Sequence, residues 1–228
     1  STRLVLQNAV LLAVRWTTEF DARDTAQGSV FHRADGSAST ADLMTRTGSF
    51  TLVAGEGWRA LRLPYAEQDS KLAMDLVLPD AVASPADLPP STWGAATRAL
   101  NRAERLPRGD FDVIVGLPRL DLNPGAVDLI PLLEELGIGI WGLELSHIAP
   151  CLILEQAFQQ TRLLVDEAGT VAAALTEAAF MRGAAPREPR KTKRFICDHP
   201  YVLRVVDLDS GAAVFEASVL DPARRGAR

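Results

Sequence analysis

This chain is short of the residues that most often carry catalysis or metal binding, with three histidines and two cysteines among 228 residues. His32, His147 and His199 lie far apart, and none is spaced with cysteines or carboxylates as metal ligands are. No metal or cofactor is expected, and each histidine reads as structural or surface. Nucleophile-elbow and lysine-bearing phosphate-loop motifs are missing too, so hydrolase and transferase readings have nothing to rest on. Gly137–Gly142 matches the dinucleotide fingerprint in letters only, because it follows a helical pattern where that mechanism needs a strand. No stretch approaches the roughly 20 apolar residues of a membrane helix, so no membrane partner is expected. Cys151 and Cys197 sit among apolar neighbours and read as buried free thiols, although the two could pair.

Excess positive charge is missing as well: the net charge is −5. That argues against a nucleic-acid partner. The one basic run, Arg187–Arg194 with Lys191 and Lys193, reads as a solvated loop. The first residues form no signal peptide, and there is no initiator methionine. The chain begins inside a strand-like run, Leu4–Val14, and is expected to be part of a longer protein.

What is present suits a soluble α+β protein with 47% hydrophobic residues. Leu72, Met74, Leu76 and Leu78 alternate before Pro79, as do Phe111, Val113, Val115 and Leu117 before Pro118, which predicts two half-buried strands. Residues 201–207 and 212–220, separated by Asp209-Ser210-Gly211, predict a hairpin. Helices are predicted over Trp93–Glu104, after a Ser91-Thr92 cap, and through Leu129, Leu132, Leu133 and Leu136 up to Gly137.

The most informative stretch is Val165–Thr176. A strand signal at Leu163–Val165 leads into small residues, and the next strand signal waits until Phe195. Loops longer than about 12–15 residues are uncommon unless functional or disordered. Thr170, Ala172, Ala174 and Thr176 would share one face if extended, with Val171, Ala173 and Leu175 on the other. Val171–Ala179 is equally compatible with a short helix, and both readings stay open on pattern alone.

Several fragments, taken in order, resemble the serpins, a family of serine protease inhibitors. They are Leu4-Val-Leu-Gln-Asn-Ala9 with Trp16 and Phe20, Leu63-Pro-Tyr65, Leu76-Val-Leu-Pro79 and Leu117-Pro-Arg119. Asp166-Glu-Ala-Gly-Thr170 with Ala172–Ala174, Phe195–Tyr201 and Phe215–Pro222 continue the series. The resemblance is taken to be to bacterial members. It implies a mostly antiparallel multi-sheet core with few helices and a long exposed reactive loop at about residues 168–194. Residues 1–228 would be a partial domain lacking the family's N-terminal helices, with exposed apolar strand faces and a need for a partner segment N-terminal to it.

The implied function is suicide inhibition: a serine protease attacks the loop, which then inserts into the central sheet as an extra strand. The hinge would comprise Glu167, Gly169, Thr170, Ala172, Ala173, Ala174 and Thr176, with Gly169 supplying freedom to bend. The commonest family spacing puts the scissile bond at Gly183–Ala184, and a loop one residue shorter puts it at Arg182–Gly183. Side-chain chemistry favours Arg182, which suits trypsin-like or subtilisin-like targets, whereas Met181 or Phe180 would suit a chymotrypsin- or elastase-like one. A latch of Asn8, Trp16 and Gln159 is implied, with Gln159 standing where the family usually has a histidine bonded to the asparagine. Glu216-Ala217 and Leu120 also depart from the family pattern. The resemblance favours an extracellular setting. A non-inhibitory binding module, an inactive fragment and, on Gly137–Gly142 alone, an enzyme are the competing classes.

Overall fold

The computed structural model describes residues 2–10, 12–66, 71–107, 110–123, 125–138, 152–170 and 190–223. In chain order come β1 (Thr2–Val10), β2 (Val14–Arg15), β3 (Thr25–His32), β4 (Ala38–Gly48), β5 (Thr51–Gly55), β6 (Trp58–Pro64), β7 (Leu72–Pro79) and helix α1 (Ser91–Glu104). There follow β8 (Phe111–Pro118), β9 (Leu120–Leu122), β10 (Ala126–Asp128), helix α2 (Ile130–Glu135), β11 (Leu152–Thr161) and β12 (Leu163–Val165). The last elements are β13 (Gly169–Thr170), β14 (Lys191–Ile196), β15 (Tyr201–Asp207) and β16 (Ala213–Val219). Two units emerge: one joins the chain up to Leu12 with Asp121–Leu163, the other Ala13–Leu120 with Leu164–Arg224.

In the first unit β11 lies between β1, which runs parallel to it, and β10, which runs antiparallel. Asn8 stands opposite Gln159 in that parallel register. Helix α2 ends as its glycine demands. Gly137 has φ +73°, its N–H donates to the Glu134 carbonyl at 2.9 Å, and the Ile138 N–H donates to the Leu133 carbonyl at 2.9 Å. That pair of bonds caps a helix whose last carbonyls would otherwise lack donors. The first glycine of Gly137–Gly142 therefore closes a helix rather than cradling a phosphate.

The second unit holds a four-stranded sheet ordered β14-β8-β4-β3 and a five-stranded sheet ordered β16-β15-β7-β6-β5, besides the pairing of β2 with β13. Most pairs are antiparallel, and β14 runs parallel to β8. The alternating run at Leu72–Pro79 is not half-buried as expected: β7 is buried on both faces after Leu72, because β6 and β15 flank it and α1 lies over its sheet. Alternation reported one face, while the other, with Ala73, Asp75 and Val77, is buried as well. Phe111–Pro118 is half-buried at its start and buried on both faces toward its end.

Helix α1 starts earlier than its supposed cap. Pro90 occupies the N-cap, Ser91 opens the helix, and Thr92 is buried inside it. Ala96 and Leu100 of α1 pack on Trp58, Ala60 and Val77. The small Ala95, Ala96 and Ala99 let the helix sit close to the sheet.

Beneath α1, one row of the five-stranded sheet carries alternating charge. Arg62 pairs with Asp75, Asp75 with Arg204, and Arg204 with Glu216 in successive registers. Arg62 grips Asp75 with two bonds of 2.6 and 2.8 Å, and Arg204 meets Glu216 at 2.7 Å. From α1, Glu104 stands 3.3 Å from Arg62 and Thr97 accepts from Arg204 at 3.1 Å. Glu216 thus has a partner that explains a carboxylate at that place.

The hairpin of β15 and β16 forms as expected, its turn closed by the Asp207 carboxylate accepting from the Asp209 and Ser210 N–H groups at 2.8 and 3.1 Å. Cys197 is a buried free thiol, and burial pushes its pKa well up; Cys151 lies outside the described residues. His199 is buried and donates from Nε2 to the Pro79 carbonyl at 2.8 Å.

Tyr201 is fully buried, and its hydroxyl meets no hydrogen-bond partner among the described residues. An unsatisfied buried hydroxyl costs about 1–3 kcal/mol. Tyr201→Phe keeps the ring and removes that oxygen, so thermal melting is expected to show a variant more stable than the parent by about 1 kcal/mol. A melt that falls would mean that the hydroxyl is satisfied.

Candidate functional site

The residues flanking the small-residue stretch are held by an anchor built entirely in the second unit. After β12 the chain reverses through Asp166–Ala168. Oδ1 of Asp166 accepts from the Ala168 and Gly169 N–H groups at 2.9 and 3.1 Å, while the Asp166 N–H donates to the Gly169 carbonyl at 2.9 Å. An aspartate that bonds the backbone two and three residues on is a turn-former by chemistry. The reversal sends Gly169–Thr170 back as β13, antiparallel to β12 on one side and to β2 on the other.

Trp16 clamps this turn. Its N–H donates to the Ala168 carbonyl at 2.9 Å and its indole Nε1 to the Asp166 carbonyl at 3.0 Å. The ring stacks on Tyr65 at 4.6 Å between centroids, with Phe20 edge-on at 6.2 Å. The Tyr65 hydroxyl in turn lies 2.7 Å from Oγ1 of Thr170, which is wholly buried. The Phe20 N–H donates to the Glu167 carbonyl at 2.9 Å.

Gly169 is a glycine for want of space. A Cβ there would stand 2.1 Å from the Val14 carbonyl oxygen and 2.7 Å from the Arg15 Cα, both backbone atoms that cannot swing aside. Its φ is not in the left-handed region, so close approach rather than bending freedom dictates the residue.

Glu167 locks the turn from outside. Arg119 reaches Oε1 with Nη2 at 2.5 Å and Oε2 with Nε at 3.0 Å, and the Thr25 hydroxyl donates to Oε1 at 2.5 Å. Arg119 is itself held by Asp42, to whose carbonyl its N–H donates at 2.8 Å. Burial raises the Glu167 carboxyl, yet the bonds from Arg119 and Thr25 lower it further, leaving it below its ordinary value of 4.5. A carboxyl depressed on folding adds stability above its unfolded pKa and loses it as pH falls through the folded one. The lock is therefore expected to be complete above about pH 4.5 and to fail in stronger acid. Hydrogen exchange at the Ala168–Thr170 amides should quicken below that pH beyond the intrinsic rate, and Glu167→Gln should remove the extra dependence. An identical acid response in the variant would acquit Glu167.

Of the residues singled out from the sequence, Trp16, Glu167, Gly169 and Thr170 come together in this anchor. Asn8 and Gln159 are register partners of β1 and β11. Ala172, Ala173, Ala174, Thr176, Arg182, Gly183 and Ala184 lie outside the described residues. The loop ascribed to about residues 168–194 begins and ends in strand, because Gly169–Thr170 are β13 and Lys191–Arg194 belong to β14. The basic run is correspondingly no loop from Lys191 onward: those side chains are exposed on a strand, and Lys193 lies 4.0 Å over the Phe111 ring. Sequence reasoning gave no role to Thr25, Tyr65 or Arg119. Tyr65 and Arg119 nonetheless end two of the quoted fragments, each directly after a proline. Among the described residues no group of three or more His, Cys, Asp or Glu could hold a metal ion.

Comparison with known proteins bears on the whole chain. The family model described as Serpin (serine protease inhibitor) matches residues 1–222. Serpin-Z2B of Triticum aestivum is 28% identical over 97% of this chain and 57% of its own length. Serine protease inhibitor 88Ea of Drosophila melanogaster is 27% identical over 97% of this chain and 55% of its own. A solved serpin from the trematode Schistosoma haematobium shares the fold, with a TM-score of 0.73 at 21% identity over 95% of this chain and 56% of that one. The chain thus spans a little over half the length of the relatives it matches. Its expected bacterial character is not borne out, those relatives being from a plant, an insect and a fluke. The α+β architecture of mostly antiparallel sheets with few helices is that of the serpins, generally protease inhibitors rather than enzymes. The chain belongs to the serpin family of serine protease inhibitors.

Proposed function

We propose that this chain is the bait-bearing and strand-accepting part of a suicide inhibitor of serine proteases. A protease cleaves the segment after Thr170 and is held as an acyl-enzyme while that segment inserts between β1 and β11. The family's loop insertion is an established instance of strand addition.

One observation carries this reading. Strand β13 already lies between β2 and β12 and antiparallel to both, so the two residues that lead into the segment stand in the arrangement that insertion would extend. By chain continuity β2 follows β1 and β12 follows β11. β1 and β11 are direct neighbours running parallel. A strand entering against their direction replaces one parallel ladder with two antiparallel ladders, the slightly stronger kind, and so gains backbone bonds. The small face of Thr170, Ala172, Ala174 and Thr176 suits entry beneath existing packing. The hinge, Glu167 to Thr176, carries no proline and no bulky or charged residue beyond its opening Glu167, which the anchor holds.

The test uses a protein of the relatives' full length containing this chain, incubated with trypsin, subtilisin and chymotrypsin. A complex surviving boiling in detergent is expected, with mass spectrometry placing the cut after Arg182. Arg182→Ala is expected to slow complex formation with trypsin at least about 100-fold, since the pocket's carboxylate loses its partner. Cleavage without a complex and without a rise in melting temperature would instead identify an inert binding module, and a first cut outside Phe180–Arg187 would overturn the placement.

A further inference from the structure

A solvent-open cleft of about 120 Å3 lies in the second unit, walled by Trp16, Phe20, Phe50 and Leu63 and edged by Arg46 and Arg62. Its aromatic walls are almost wholly buried, with Trp16 at 3%, Phe20 at 4% and Phe50 at 9% exposure. Arg46 is the unusual member. The other buried or half-buried arginines that the structure describes, Arg33, Arg59, Arg62, Arg190 and Arg204, each stand within 3.5 Å of a carboxylate. No carboxylate among the described residues pairs with Arg46. Its Nη1 donates to the Thr18 carbonyl, and its Cζ lies 4.9 Å over the Phe50 ring. Burial lowers its pKa from the ordinary value.

A half-buried guanidinium without a counter-charge is costly unless something anionic meets it. Among the described residues Glu104 is the one carboxylate edging the cleft, and it is already held by Arg62 at 3.3 Å and by the Thr51 hydroxyl at 2.8 Å, so none of them compensates Arg46. Guanidinium forks match carboxylates in two-point geometry, and buried aromatic edges favour a flat apolar body. We propose that this cleft binds small aromatic carboxylates, the carboxylate on Arg46 and the ring against Trp16, Phe20 and Phe50. The proposal does not depend on protease inhibition.

Trp16 supplies a reporter, because a ring seated against it changes indole emission. Titration of a protein of the relatives' full length containing this chain with 1-naphthoate, followed by fluorescence and calorimetry, is expected to saturate with a Kd below about 1 mM. Neutral 1-naphthol, and naphthoate with Arg46→Met, are each expected to bind at least about ten-fold more weakly. Arg46→Lys keeps the charge without the fork and should fall between. Failure of the parent chain to saturate, or equal affinity for naphthol and naphthoate, would overturn the proposal even if Arg46→Met did not fold. Unchanged naphthoate affinity in a folded Arg46→Met would do the same.

Discussion

Asp75→Ala is expected to destabilise the protein by about 3–5 kcal/mol, a large part of the 5–15 kcal/mol that holds a typical domain folded. Asp75 is the middle anion of the row Arg62–Asp75–Arg204–Glu216, and it and Arg62 are each 3% exposed or less. Without it, Arg62 keeps one bond, to Glu104, and confronts Arg204 across an empty position. A buried charge left uncompensated is the expensive outcome; the pair itself is not what makes the sheet stable. Burial raises the Asp75 carboxyl above its ordinary value and outweighs the pull of Arg62, so desolvation is not fully offset by the fork. Hence Arg62→Met with Asp75→Leu is expected to lie within about 1 kcal/mol of the parent, or above it. Urea denaturation of the three proteins checks both statements. A loss under about 1 kcal/mol for Asp75→Ala would show that water reaches the row and stands in for the carboxylate.

That row marks the limit of what could be read from the sequence. Alternation at Leu72–Leu78 and Phe111–Leu117, and the Asp-Ser-Gly between two β-branched runs, were legible because each signal is local to one strand or turn. The second face of β7 was not, since its burial depends on α1, which arrives from later in the chain. Arg62 and Glu216 look like ordinary surface charges until the register of four strands lines them up. The start of α1 was misplaced for a different reason. Serine and threonine are preferred caps, but here the chain turns at Pro90, and Thr92 is drawn into the packing.

The stretch read as a hinge divides along the same line. Its residues were legible as a family fragment, but the turn at Asp166 was not singled out. Its lock was not legible either, because Thr25, Arg119 and Glu167 come from three separate stretches of the chain. Gly169 is the instructive case. A glycine in a hinge invites an explanation by flexibility, while the structure explains it by the carbonyl of Val14 pressing where a side chain would be. Space and freedom predict different mutants.

Gly169→Val follows from the steric reading. The new Cβ would overlap backbone at 2.1 Å, so β13 must leave β2, and the pairs Gly169↔Arg15 and Thr170↔Val14 are lost together. Overpacking strain of about 1–3 kcal/mol, with roughly 1 kcal/mol for each backbone bond forgone, is the expected loss in a folded-state melt. Thr170 would also withdraw from Tyr65, loosening the stack on Trp16. The functional consequence is sharper than the thermal one. If insertion extends β13, a protein that cannot seat β13 should be cut by trypsin as an ordinary substrate, without a detergent-stable complex and without a rise in melting temperature after cleavage. Gly169→Ala places the same Cβ against the same carbonyl and should fail alike, whereas a requirement for bending alone would leave alanine close to the parent. Retention of the stable complex by the alanine variant would therefore detach the hinge from β13 and send the search for the first inserted residue further along the loop.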